Sequence, residues 1–191
     1  MIKLIKSFSL IILIAILALS IVGCGKVTEN EALNIIEVLI KDAYELNEIY
    51  YGSGIKHKDS GNPNDLYMPA YENEKYALKN KLVERTYEVF SESYAESLIG
   101  LAFGGAQSEI NQGSIQPRYM TLDDKYDGWI YVNIDYEPLV EKVAEYDFNS
   151  IKIVKISRRF IEATIKTTEN DEVKVTVVRE SMGWRLDSAT C

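Results

Sequence analysis

Apolar residues recur along this chain with two different periods, and the change from one to the other divides it. Between residues 28 and 51 the period is helical. Ala32, Ile36, Leu39, Ala43, Leu46 and Tyr50 follow one another at steps of three or four and define one apolar face. Thr28 and Glu31 have capping-box spacing at its start, and Gly52 and Gly54 end it. Tyr44, Tyr50 and Tyr51 read as core packing rather than as an aromatic binding surface. A second helix is expected from Glu74 to Phe90, with Leu78, Leu82 and Val89 on one side. A third is expected from Glu92 to Leu101, with Ser91 as its N-cap and Gly104-Gly105 as its stop.

From Ile115 onward the period is two. Ile115 to Leu122 and Gly128 to Tyr136 read as strands, and in the second Ile130, Val132 and Ile134 alternate against Trp129, Tyr131 and Asn133. Pro138 stops that strand, and Leu139 to Tyr146 are expected to form a short helical turn. Strands follow at Ile151 to Ile156, Phe160 to Thr167, Val173 to Arg179 and Trp184 to Leu186. Ile161, Ala163 and Ile165 alternate with Glu162, Thr164 and Lys166, as Val173, Val175 and Val177 do with Lys174 and Thr176. One face of the sheet is therefore packed and the other polar. Helices first and strands afterwards is the order of an α+β fold, with N-terminal helices packed on one face of a curved antiparallel sheet.

Ahead of this pattern stands a different one. Lys3 and Lys6 are followed by an unbroken apolar run from Leu10 to Leu19 and by small or aliphatic residues from Ser20 to Gly23. The sixteen positions from Ser7 to Val22 fall short of the roughly 20 residues of a membrane span, and no basic stop-transfer flank follows. Ile21-Val22-Gly23-Cys24 resembles the lipobox of bacterial lipoproteins. That resemblance implies a diacylglyceryl thioether on Cys24, which becomes the first residue of the mature protein. It divides the chain into a signal peptide (1–23), a lipidated tether (24–27) and one α+β domain (28–191). The implied address is the extracytoplasmic face of the cell membrane, where two acyl chains make a lasting anchor.

Charge and cysteine content narrow the partners. The whole chain carries −8; the leader removes Lys3 and Lys6, so the mature chain stands at −10. That balance argues against nucleic acid, and against binding anionic lipid headgroups through the protein's own surface. With Cys24 committed to lipid, only Cys191 remains. No intramolecular disulfide and no zinc site can be built from Cys191 and the single histidine, His57, so no metal or cofactor is expected. Abundant Ile, Lys, Glu, Asn and Tyr are what an AT-rich genome encodes, which points to a Gram-positive source.

Two further resemblances bear on fold and function. The order of elements from Thr28 to Asp187 resembles the cystatin-like or NTF2-like cone, and Glu180 to Asp187 resembles the last hairpin of small bacterial proteins with that fold. Leu66-Tyr67-Met68-Pro69, a Lys/Leu helix and then Phe90-Ser91-Glu92-Ser93-Tyr94-Ala95 are similar to the middle region of Gram-positive proteins that inhibit peptidoglycan DL-endopeptidases. The first implies a sheet concavity that can hold a ligand or a catalytic carboxylate. The second implies an envelope or cell-wall protein as partner.

Motifs for chemistry are sparse. His57 sits between two lysines in a glycine-rich loop, without the third group that orients a catalytic imidazole. No nucleophile elbow, P-loop or dinucleotide fingerprint is present. Residues 59–65 lack the alternating ligands of a calcium loop, and an Asx and glycine turn is expected there. Asp135, Glu137, Glu162 and Glu180 are the carboxylates that a cone-shaped enzyme could use, although the parity of Asp135 and Glu162 places them on polar faces. Arg118, Tyr119, Trp129, Tyr131 and Trp184 form the candidate ligand-binding set, weighed against simple packing of the sheet. The expectation is a membrane-anchored, non-catalytic binding module, an inhibitor or regulator of a cell-wall hydrolase. The alternative is a small NTF2-like enzyme with a carboxylate in the concavity.

Overall fold

The computed structural model of the chain describes residues 27–59, 61–62, 65–104, 106–107, 114–121 and 128–190. The leader, Cys24 with most of its tether, Gly105, Leu122 and Cys191 lie outside the described residues.

The first helix, α1, spans Glu29–Tyr50 and begins as its sequence requires. The Glu31 backbone N–H donates to Thr28 Oγ1 at 3.3 Å, and the Thr28 N–H donates to Glu31 Oε2 at 2.8 Å. This reciprocal cap satisfies two donors that the helix leaves open. Its buried face is Ala32, Ile36, Leu39, Ile40, Ala43, Leu46, Asn47, Ile49 and Tyr50. Two shorter helices follow, α2 at Lys79–Val89 and α3 at Glu92–Gly104. Ser91 caps α3 by accepting from the Tyr94 N–H at 3.3 Å.

The strands are β1 (Tyr67–Pro69), β2 (Ala106–Gln107), β3 (Ser114–Ile115), β4 (Tyr119–Thr121), β5 (Ile130–Asn133), β6 (Tyr146–Ile156), β7 (Phe160–Thr167), β8 (Glu172–Glu180) and β9 (Gly183–Leu186). The meander is confined to the last four, an antiparallel sheet in the order β6-β7-β8-β9. Earlier strands form a separate antiparallel sheet, β1-β5-β4, and a small β2-β3 pair. The molecule is an α+β fold with helices packed against the sheet. Ile161, Ala163 and Ile165 of β7, Val175 and Val177 of β8 and Leu186 of β9 are fully buried in one core with the α1 face. Their register partners confirm a common face: Ile161 lies opposite Val177, and Val177 opposite Leu186. The other face carries Glu162, Thr164, Lys166 and Lys174, all at least partly exposed.

Several boundaries differ from those the periodicity predicts, each for a hydrogen-bonding reason. The second helix starts at Lys79 rather than Glu74, because Ala77 and Leu78 are drawn into strand-like pairing: Ile130 N–H donates to Ala77 O, and Lys79 N–H to Gly128 O. Strand β5 ends at Asn133, whose Oδ1 accepts from the Asp135 N–H at 3.0 Å and turns the chain. Ile134 is consequently 41% exposed instead of extending the apolar face. No helical turn forms at 139–146; Leu139 and Val140 both donate to Tyr51 O, and Tyr146 already belongs to β6. Strand β6 tolerates Asp147, Asn149 and Ser150 through a register shift there, where Ser150 Oγ accepts from the Lys166 N–H at 2.7 Å.

Candidate functional site

Where α1 crosses the beginning of β6, the surface opens into a cleft of about 380 Å³ lined by Ile40, Lys41, Tyr44, Ala144, Glu145, Tyr146, Phe148 and Thr168. A second depression of about 260 Å³ shares Ala144, Glu145 and Thr168 with it and continues along Thr167, Glu169, Asp171 and Val173. Helix α1 supplies one wall because position 44 lies off its buried stripe. Strand β6 supplies the other, with Tyr146 and Phe148 on its core-facing side. Lys41 and Lys142 at the rim are paired within the protein. Lys41 Nζ sits 2.5 Å from Glu37 Oε1 and 4.9 Å from the centroid of the Phe148 ring. Lys142 Nζ lies 2.8 Å from Glu145 Oε1, an interaction that holds its ammonium above the usual lysine range. An aromatic cleft of this kind has the surface to accept an apolar or planar group.

The structure does not gather the five residues that the sequence singles out for binding. Arg118 is 3% exposed, and its guanidinium donates to Tyr50 O at 3.1 Å and to Gly52 O at 2.5 Å. Tyr119 is fully buried; its hydroxyl donates to Ile49 O at 2.7 Å and accepts from the Ile55 N–H at 3.2 Å. Both side chains therefore complete the C-terminus of α1, where carbonyls lack intrahelical partners and a cation opposes the helix dipole. Gly54 belongs to the same arrangement. It has φ +82, and a Cβ there would come within 2.5 Å of Arg118 Nη2. Tyr131 faces away from Tyr119, since its register partners are Pro69 and Met120 while Tyr119 pairs with Val132. Trp129 bridges to Leu78, and Trp184 stands in the other sheet opposite Arg179.

The acids considered as general bases are also dispersed. Asp135 and Glu137 are exposed. Glu162 is 3.9 Å from Lys174 Nζ, and Glu180 Oε1 accepts from the Glu92 N–H at the start of α3. His57 is half-buried, and its Nδ1 donates to Lys58 O at 3.1 Å. At the loop compared with a calcium site, Asp59 Oδ1 accepts from the Gly61 N–H in an Asx turn. Among the described residues no group of three or more His, Cys, Asp or Glu side chains is placed to hold a metal ion.

Burial pushes the Tyr119 phenol up to about 12 from its ordinary value of 10.0. The unfolded chain releases this proton first, so the stability Tyr119 contributes is complete below pH 10 and is lost between about 10 and 12. A loss of about 2–3 kcal/mol is expected across that window. Tyr50 is raised in the same direction by burial and adds to it. Urea unfolding at a series of alkaline pH values checks this. Tyr119→Phe should start less stable at pH 7 but lose less on going to pH 12, and an equal loss in both chains would refute the assignment.

The cleft residues escaped the reading from the sequence because helical periodicity assigned Tyr44 to the core. It is 40% exposed, whereas Tyr50 is buried and Tyr51 half-buried. A signal was present: Tyr44 continues the stripe Glu37, Lys41, Glu48, and an aromatic ring on a charged stripe marks a surface site. Compared with known protein families and with curated proteins, the chain matches no family model and no curated sequence.

Proposed function

We propose that this protein is a membrane-anchored lipoprotein of the extracytoplasmic face, whose α+β domain acts by binding an envelope protein, as an inhibitor or regulator of a cell-wall hydrolase. The observation that carries the binding role is the cleft between α1 and β6, where Tyr44 and Phe148 offer aromatic surface while Lys41 and Lys142 are already paired with Glu37 and Glu145. A docking partner meets apolar surface there without having to neutralise a buried charge. The inner face of the four-stranded sheet is filled by the α1 side chains, so recognition falls to this outer relief. The address rests on Ile21-Val22-Gly23-Cys24 and the apolar leader before it. The capping box at Thr28 starts the domain four residues after Cys24, which keeps the start of α1 close to the bilayer.

Two measurements test the reading. In fractionated cells the chain should be found in the membrane with a diacylglyceryl-modified Cys24 by N-terminal mass spectrometry, and Cys24→Ala should abolish both; an unchanged distribution and mass would reject the anchor. For the domain, addition of the protein should slow peptidoglycan digestion by a purified DL-endopeptidase, and the double variant Tyr44→Ser/Phe148→Ser should relieve that inhibition by about tenfold or more, as removal of two aromatic anchors does at an interface. If the native chain leaves digestion untouched, the hydrolase version is discarded.

A further inference from the structure

The net charge of −8 hides an uneven distribution. The β6–β7 turn (residues 157–159) and the β8–β9 turn (181–182) lie at the same end of the antiparallel sheet, as its register requires. The Arg179 N–H donates to Arg159 O at 2.7 Å, which joins the two turns directly. Arg159, Arg179 and Trp184 thus stand in one cross-strand row, and Phe160, Val178 and Arg185 in the next. Lys155, Arg158, Arg159, Arg179 and Arg185 are gathered at this end. None of the five lies within 4.0 Å of a carboxylate among the described residues. Elsewhere Lys41, Lys58, Lys75, Arg85, Lys142 and Lys174 have such a partner, and the described lysines without one, among them Lys56, Lys81 and Lys152, are not gathered in one cross-strand cluster. Glu180, the nearest acid in sequence to Arg179, is occupied by the α3 N-terminus. At the tip Met182 is 82% exposed, the most exposed large apolar side chain among the described residues.

We infer that this end of the sheet is a contact surface for an anionic bilayer, with Arg158, Arg159 and Arg179 on lipid phosphates and Met182 entering the headgroup layer. Arg185 is held by the carbonyls of Tyr87, Trp184 and Met182, and the other four cations repel one another unless an anionic surface compensates them, which an anionic membrane does. A soluble polyanion would meet the charges but would leave Met182 in water. A bilayer takes both, because an apolar tip is stabilised at the boundary of headgroup and acyl chain. The proposal rests on membrane anchoring only for delivery of the domain to the surface. There it would fix the orientation of the domain, which the lipid at Cys24 alone leaves free.

Hydrogen exchange of the full chain, added to vesicles of equal parts phosphatidylglycerol and phosphatidylcholine or of phosphatidylcholine alone, tests it. Amides of 155–160 and 179–185 should exchange about tenfold more slowly with the anionic vesicles only, and the effect should fade near ~0.5 M salt. The triple variant Arg158→Glu/Arg159→Glu/Arg179→Glu should lose that protection while exchange at 161–165 stays slow, which shows that the fold is intact. Met182→Ser should weaken it with every charge retained. Equal protection with both vesicle types, or the same protection from soluble polyphosphate, would overturn the inference. Failure of the anchor is distinguishable: the chain would leave the vesicles at high salt, yet keep the protection that anionic lipid gives at low salt.

Discussion

Arg118→Met should lower the unfolding free energy by about 2–4 kcal/mol, the loss expected when charge-assisted hydrogen bonds are removed and their buried acceptors stay unsatisfied. The guanidinium is almost wholly buried and serves Tyr50 O and Gly52 O at once. Methionine fills part of the space but donates nothing, so both carbonyls at the end of a 22-residue helix lose their partner and the opposing charge disappears. Desolvation of the cation offsets part of its benefit, which is why the expected figure stays below the sum of two strong bonds. Arg118→Lys should recover less than half of the loss, because a single ammonium cannot span two carbonyls as a planar fork does. Urea denaturation of the three chains measures this; a methionine variant within 0.5 kcal/mol of the parent, on the order of an ordinary surface substitution, would sink the capping role.

Phe90→Ala should cost more, about 3–5 kcal/mol, as a large ring deleted from a close-packed core does. Phe90 is fully buried at the joint between α2 and α3, with its ring centroid 5.3 Å from that of Tyr94. Its backbone bridges to Leu186, and the next N–H, of Ser91, donates to Leu186 O at 2.7 Å. Ser91 Oγ then donates to Asp187, so one short segment fastens both helices to the last strand. Loss of the ring removes packing from three elements together, and denaturant titration should show a lower midpoint with an unchanged slope. A cost below 1 kcal/mol would mean that the joint collapses around the gap, contrary to the packing described, since partial relaxation leaves roughly 3 kcal/mol at such sites.

Much of the fold is legible in the amino-acid sequence. The capping box at Thr28, the stripe from Ala32 to Tyr50 and the alternation in β7 and β8 each follow from a local period that burial then used unchanged. Legibility failed where hydrogen bonds outside the local period captured the backbone. Ala77 and Leu78 have neighbours at helical spacing, yet Gly128 and Ile130 take their hydrogen bonds. Asn133 sits at a strand position, yet its side chain turns the chain two residues later. The site was less legible still. Arg118 and Tyr119 have the composition of a ligand pocket, and only the position of the α1 C-terminus turns them into a cap.

The buried faces of α1, β7 and β8 were determined by sequence alone, because each depends on residues near one another along the chain. Tertiary structure decided everything that depends on residues far apart. It divided the strands between separate sheets, set Tyr44 against Phe148 across a cleft, and assembled Lys155, Arg158, Arg159, Arg179 and Arg185 at one end of an acidic molecule. Periodicity reports which way a side chain faces on its own element. Which other element it meets there is set by packing and hydrogen bonding over the whole chain, and no local pattern encodes it.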